Sequence, residues 1–183
     1  MNEQTQSAIL LSLIEHLKNR GSWCGETHVQ KATYFLQELM SVPLNFDFTL
    51  YKYGPYSFGL SDELVAMRAD SLIRLSPNPP YGPSLAPGEA TEQIKRQFPR
   101  TLEKFERQID FVAQKLGEKP VSELEALSTA FYVRLREHAD IPRDRHVQLL
   151  RELKPHIKPD SARKAVTELA NLINESQRLR AAA

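Results

Sequence analysis

The sequence predicts a mainly α-helical fold with a small β-sheet, in which a winged-helix-like N-terminal half packs on a C-terminal helical bundle. Three observations predict it. Apolar residues recur at helical spacing over most of the chain. One run, FDFTLYKY, alternates apolar and polar residues with period two. A proline-rich segment, PNPPYGPSLAPG, separates the two halves. The expected organisation is one domain over residues 1–183, with the winged-helix-like half at 1–88 and the helical half at 89–183.

The elements follow in order. Over residues 7 to 20, Ile9, Leu10, Leu13, Ile14 and Leu17 mark one helical face, and Gly21 follows a basic end as a stop signal. A second helix is expected from Glu26 to Met40, with Val29, Ala32, Phe35, Leu36 and Leu39 inward and Pro43 beyond its end. Next, Phe46, Phe48 and Leu50 alternate with Asp47, Thr49 and Tyr51, which predicts a strand with one buried face. Gly54-Pro55 stops that strand. Pro55 suits the second position of a turn, and it pushes Gly54 toward extended backbone. Ser57 is placed to cap a helix carrying Leu60, Leu64 and Met67, with Val65 beside them.

Residues 71–75 suit a short strand. The segment at 77–88 holds five prolines and two glycines, so it can be neither helix nor central strand. A loop or wing bounded by two short strand pieces fits it. From Glu89 onward the chain reads as helix. Leu102, Phe105, Ile109, Val112 and Leu116 form a stripe along one long helix, with Pro99 at its start or at a kink. Ser122 and Glu125 make a capping-box pattern for a helix carrying Leu124, Leu127, Phe131 and Leu135. A shorter helix is expected from Pro142 to Leu153. A last one begins near Asp160 and is lined by Ala162, Ala165, Val166, Leu169, Leu172 and Ile173.

Composition bounds the function. Apolar residues are 41% of the 183 and charged residues 26%, the balance of a soluble protein. The net charge of +1 lacks the basic excess of a dedicated nucleic-acid binder. One cysteine, Cys24, leaves no internal disulfide, which fits a reducing compartment. The N-terminus does not read as a signal peptide, and no apolar run approaches a membrane span. A cytoplasmic location is expected.

Few residues suggest chemistry. Cys24 and His28, four apart, make at most half a zinc site. The simpler reading is a buried thiol beside an exposed imidazole. In REHADIPRDRH, His138, Asp140, Asp144 and His146 lie close in sequence, but Pro142 breaks the segment and three arginines oppose a cation. A solvated helix junction fits better. No phosphate-binding loop, dinucleotide fingerprint or nucleophile elbow occurs. No metal, cofactor or catalytic residue is assigned.

Nucleic-acid binding is the alternative, as a winged-helix DNA-binding regulator. The expected recognition helix carries Asp62 and Glu63, with Asp70 at its end, against Arg68, and the wing segment has no Lys or Arg. The second helix offers His28 and Lys31. A later set, Arg134, Arg136, Arg143, Arg145, Arg151 and Lys154, is interleaved with carboxylates.

HVQKATYFLQEL, an aromatic strand, and then YKYGPYSFGLSDEL resemble a bacterial group called YwgA-like and the broader Panacea, or SocA-like, antitoxin domain. Those families put a "K…YFLQ" helix before a "YGP" turn that opens a helix. The resemblance covers residues 25 to 75, with weaker support from SELEALSTAFYV and LKPHIKPDSARKAVTEL. The proline loop at 77–88 is long for the pattern. The resemblance implies a mostly helical fold with a small sheet and, for Panacea-like members, toxin neutralisation by protein contact. Some YwgA-like members occur in phage-defence settings.

The tyrosine corner admits two readings. In one, Tyr51 and Tyr53 share a strand face and clamp the first helices, their hydroxyls bonding backbone groups. In the other, the rings lie exposed beside Lys31 and Lys52 as an anchor for a partner protein. The candidate partner-binding residues are Lys31, Tyr34, Tyr51, Lys52, Tyr53, Gly54, Pro55 and Tyr56. The expected function is that of a non-enzymatic interaction or regulatory protein, antitoxin-like, acting on a toxin or defence component. The stripe over residues 101–116 is also compatible with a homodimer, as it is with core packing.

Overall fold

The computed structural model describes residues 1–78, 81–137 and 141–181. Its elements run α1 (Glu3–Asn19), α2 (Glu26–Glu38), β1 (Thr49–Tyr51), β2 (Gly54–Tyr56), α3 (Phe58–Ala69), β3 (Ile73–Asn78) and β4 (Tyr81–Pro87), and then α4 (Thr91–Gln97), α5 (Pro99–Leu116), α6 (Val121–Glu137), α7 (Arg143–Leu153) and α8 (Pro159–Ala181). The strands form two separate two-stranded sheets, β1–β2 and β3–β4. The fold is therefore mainly helical with small β-sheets. Contacts divide the chain into two compact units. The first is Met1–Thr49 with Tyr56–Lys119, and the second is Leu50–Pro55 with Pro120–Ala183. The first unit thus runs past residue 88 and takes in α4 and α5.

In the first unit, α1 begins at Asn2, whose Oδ1 accepts from the Thr5 N–H at 2.9 Å. It ends where Ser22 N–H donates to Leu17 O and Gly21 N–H to Lys18 O, the paired bonds of a Schellman stop. Its sequence suggests one apolar face, yet Leu11 is as buried as Leu10 and Leu13. The reason is that α1 packs against α2, α4, α5 and β4. The stripe on α5 is spent on this core: Phe105, Ile109, Val112 and Leu116 are buried, and α5 packs on α1 and α2. Pro99 opens α5, the first of the two positions expected for it along the long helix, and the residues before it form the separate short α4.

Helix α2 is buried on its polar positions too, including Gln30, Lys31, Thr33 and Tyr34. Two glutamines seven residues apart lie on one face and clamp backbone that follows. Gln30 Nε2 donates to Ser57 O and its Oε1 accepts from Ser57 N–H, both at 2.9 Å. Gln37 does the same to Phe46, at 2.9 and 2.8 Å. These clamps, with Gln6 Nε2 donating to Leu44 O, explain residues 42–48. Val42, Leu44 and Phe46 are buried and residues 43, 45 and 47 exposed, as the alternation requires. The segment is nevertheless no strand before Thr49, because glutamine side chains take the place of a neighbouring strand.

Ser57 caps α3, its Oγ accepting from Leu60 N–H at 3.2 Å. Leu60, Leu64 and Met67 point inward, whereas Val65 is 59% exposed. Of the proline-rich segment expected as a loop or wing bounded by two short strand pieces, residues 77–78 end β3 and residues 81–87 form β4. Strand β3 pairs antiparallel with β4 in the register Arg74↔Ala86 and Leu75↔Leu85. Gly88 N–H donates to Leu72 O at 2.9 Å. Alternation from that bond turns the peptide groups of Leu85 and Pro87 away from β3. Pro87 therefore gives up no ladder bond, and Leu85 N–H donates instead to Cys24 O at 2.8 Å. A two-stranded ribbon is all edge, which is where proline is tolerated.

In the second unit, α6 packs on α7 and α8. Leu124, Leu127 and Phe131 are buried, and Leu135 is exposed at the far end of α6. Ser122 lies inside the first turn of α6 rather than ahead of it, so the expected capping box does not form. Pro142 precedes α7, and Pro159 opens α8 where a missing N–H costs nothing. Ala162, Ala165, Val166, Leu169 and Leu172 are buried and Ile173 half-buried. His138 and Asp140 lie outside the described residues.

Candidate functional site

The tyrosine corner is a two-residue hairpin. Strands β1 and β2 are joined by Lys52–Tyr53, which form the turn. Gly54-Pro55 is therefore not the turn but the start of β2. Gly54 has φ +89°, not the extended value expected ahead of proline. A side chain there would also collide. An added Cβ would stand 2.9 Å from Ser128 Oγ and 3.2 Å from Thr129 Oγ1, both on α6. Glycine is thus required twice, by backbone conformation and by close approach.

Lys154, just past α7, anchors the turn from beneath. Its ammonium donates to Tyr51 O at 2.6 Å and to Lys52 O. Glu125 Oε1 lies 3.5 Å away, and both side chains are 8% exposed. Those three acceptors match the three donors of an ammonium. Glu125 in turn takes His156 Nε2 at 3.1 Å. This is why Glu125 is unavailable to cap α6. The charge pair is buried, so its value lies in being complete: removing one member would strand the other away from water.

The hairpin tip faces outward. Tyr51 is 56% exposed and Tyr53 48%. Lys52 Nζ lies 5.3 Å from the Tyr53 ring centroid, a cation–π distance. The other sequence candidates do not join this surface. Lys31 and Tyr34 are buried at 1% and 2% exposure, and Tyr34 packs edge-on to Phe48 at 5.0 Å. Gly54 and Pro55 are buried. Tyr56 is half-buried in the first unit, donating to Glu26 Oε1 at 3.1 Å and packing edge-on to Phe58. Of the eight candidates, only Tyr51, Lys52 and Tyr53 form an exposed cluster. The residues that hold them, Glu125, Ser128, Thr129, Lys154 and His156, are absent from the sequence-based set. One signal for them existed: Ser128-Thr129 interrupts the apolar run of α6 with buried hydroxyls.

The remaining candidates have structural roles. His28 is buried, not exposed. Its Nε2–H donates to Leu116 O at 2.9 Å, and Nδ1 accepts from Ser22 Oγ at 3.0 Å. Burial pushes its pKa down to about 4, so the ring is neutral. Cys24 is buried, and burial pushes its thiol up to about 12. Among the described residues no group of three or more His, Cys, Asp or Glu is placed to hold a metal ion. No helix among them is long and apolar enough to cross a membrane.

The nucleic-acid surfaces are reduced as well. With His28 and Lys31 buried, α2 presents neither to a phosphate backbone. Lys154 leaves the later basic set for the same reason. On α3, Glu63 accepts from Ser7 Oγ at 2.6 Å, which keeps a carboxylate on that helix. No protein-family model matches the chain, and no curated protein matches its sequence.

Proposed function

We propose that this is a non-enzymatic interaction protein that binds a partner protein through the Tyr51–Lys52–Tyr53 hairpin tip. The observation that carries the reading is the combination of two half-exposed tyrosines with an immobilised turn beneath them. Rings held rigidly offer large contact area at small entropy cost on binding. The partner surface that fits is an apolar groove rimmed by carboxylates, to receive the rings and Lys52. The resemblance of residues 25 to 75 to antitoxin domains makes a toxin the first partner class to test.

The test is capture of partners from native-host extract with the full chain, with and without nuclease, followed by affinity measurement. Tyr51→Ala with Tyr53→Ala should weaken the identified complex by about 30-fold or more, the scale of a hot spot. Melting should be unchanged, since exposed rings contribute little to stability. Unaltered affinity in the double variant would exclude this surface. Capture that vanishes with nuclease would favour the nucleic-acid alternative.

A further inference from the structure

A second surface lies on α3, in the first unit and independent of the hairpin tip. Phe58 and Val65 are 58% and 59% exposed, the two highest values among the large apolar side chains described. They stand two turns apart on one helix. Phe58, Asp62, Val65 and Ala69 follow at intervals of four, three and four, which makes one helical stripe. All four are exposed, as is Ala66 beside them, while Leu60, Leu64 and Met67 fill the opposite face. Asp62 and Arg68 are exposed charges that make no ion pair among the described residues.

This surface is self-complementary about Val65. Asp62 lies three residues before it and Arg68 three residues after. Two copies of α3 packed antiparallel about a two-fold axis at Val65 bring each Asp62 opposite Arg68 of the other copy. Ala66 and Ala69 allow the helices a close approach. The same axis sets Phe58 opposite the residues that follow α3, and a cleft of about 560 Å³ opens there. Val65 and Ala69 form one wall, the buried Ile73 lies at the floor, and Arg68, Arg74 and Glu89 stand on the rim. The backbone beneath is fixed: a Cβ on Gly88 would stand 2.1 Å from Ser71 O, so the two segments touch directly. Arg74 is held too, its Nε donating to Pro87 O at 3.2 Å. A phenyl ring entering the cleft meets apolar carbon below and guanidinium groups at its sides, a pairing that cations make with aromatic rings. Knob and hole thus lie on one face, on either side of the axis.

We infer that the chain forms a two-fold dimer through α3, with Phe58 of each copy seated in the cleft of the other. A helix of 12 residues is about 18 Å long, so the contact is smaller than a standard interface and the dimer is weak. The test is sedimentation equilibrium of the full chain from about 5 to about 500 µM, where a dissociation constant at or below about 100 µM is expected. Asp62→Arg and Arg68→Asp should each weaken self-association about tenfold or more, because like charges then face each other. Mixed in equal amounts, these two variants should pair with each other about as tightly as the unaltered chain, since opposite charges meet again at both contacts. Phe58→Ser should weaken the dimer about tenfold by emptying the cleft. Both charged side chains are exposed, so their replacement leaves the fold intact. A chain that stays monomeric to about 500 µM, a dimer indifferent to both charge reversals, or reversed variants that do not pair when mixed overturns the inference.

Discussion

Lys154 and Glu125 form an ion pair at 3.5 Å with both side chains 8% exposed, and the ammonium also bonds the carbonyls of Tyr51 and Lys52. One buried cation thus ties the end of α7, the face of α6 and the hairpin together. Lys154→Met should destabilise the protein by about 3–5 kcal/mol, because it removes the ammonium beside a buried carboxylate, leaving it only His156, and takes the donor from two carbonyls. Glu125→Leu added to it should recover part of the loss, since an apolar pair no longer strands a charge. Denaturant unfolding measures the stability change, and hydrogen exchange should show earlier opening over residues 50–55.

Gly54 is the second fastening of the same hairpin. Gly54→Ala should cost about 1–2 kcal/mol for the left-handed backbone and about 1–3 kcal/mol more for overlap with Ser128 Oγ. Adding Ser128→Ala should return the overlap part and leave the backbone part. Equal stability of the single and double variants would show that φ alone sets the requirement.

The glutamine clamps differ in cost because they differ in burial. Gln30 is fully buried, so Gln30→Leu should lose about 2–3 kcal/mol by orphaning the Ser57 N–H. Gln37 is only half-buried, and water can replace it at Phe46. Gln37→Leu should lose about 1 kcal/mol. Chemical denaturation of the two variants under one set of conditions checks the order.

Stability should fall on mild acidification. His28 is held at a pKa of about 4, below its unfolded value of about 6.5. The unfolded chain therefore binds the proton first. The full contribution is present above about pH 6.5 and is lost as pH falls toward 4, amounting to about 3 kcal/mol. His146 shifts in the same direction and adds to the slope. Melting temperature followed from pH 7 to pH 4 should drop, and His28→Gln should flatten the curve. A slope unaffected by that variant would place the titration elsewhere.

Local signals set the helices. Spaced apolar residues, Ser57 as a cap, Gly21 as a stop and prolines at helix starts specify α1, α2, α3 and α5–α8. These depend on neighbours within a few residues, so a linear reading captures them. The hairpin is not legible in the sequence, which reads as a strand turned into a helix by Gly54-Pro55, whereas Lys52–Tyr53 form the turn and Gly54 opens β2. A proline after glycine ordinarily favours an extended residue, yet Gly54 has φ +89° and also lies against Ser128 and Thr129 of α6, distant neighbours that a local reading does not see. The capping-box pattern failed for a like reason: Glu125 is claimed by Lys154, 29 residues away along the chain.

By itself the sequence determined a mainly helical chain with a little β-structure, and it excluded the proline-rich segment from helix and from central strand. Tertiary structure alone decided which polar residues are inside. Lys31, Tyr34 and His28 read as surface candidates and are buried, while Tyr51 and Tyr53 remain exposed. The physical reason is that residue type sets the cost of burial, whereas distant partners determine whether that cost is offset.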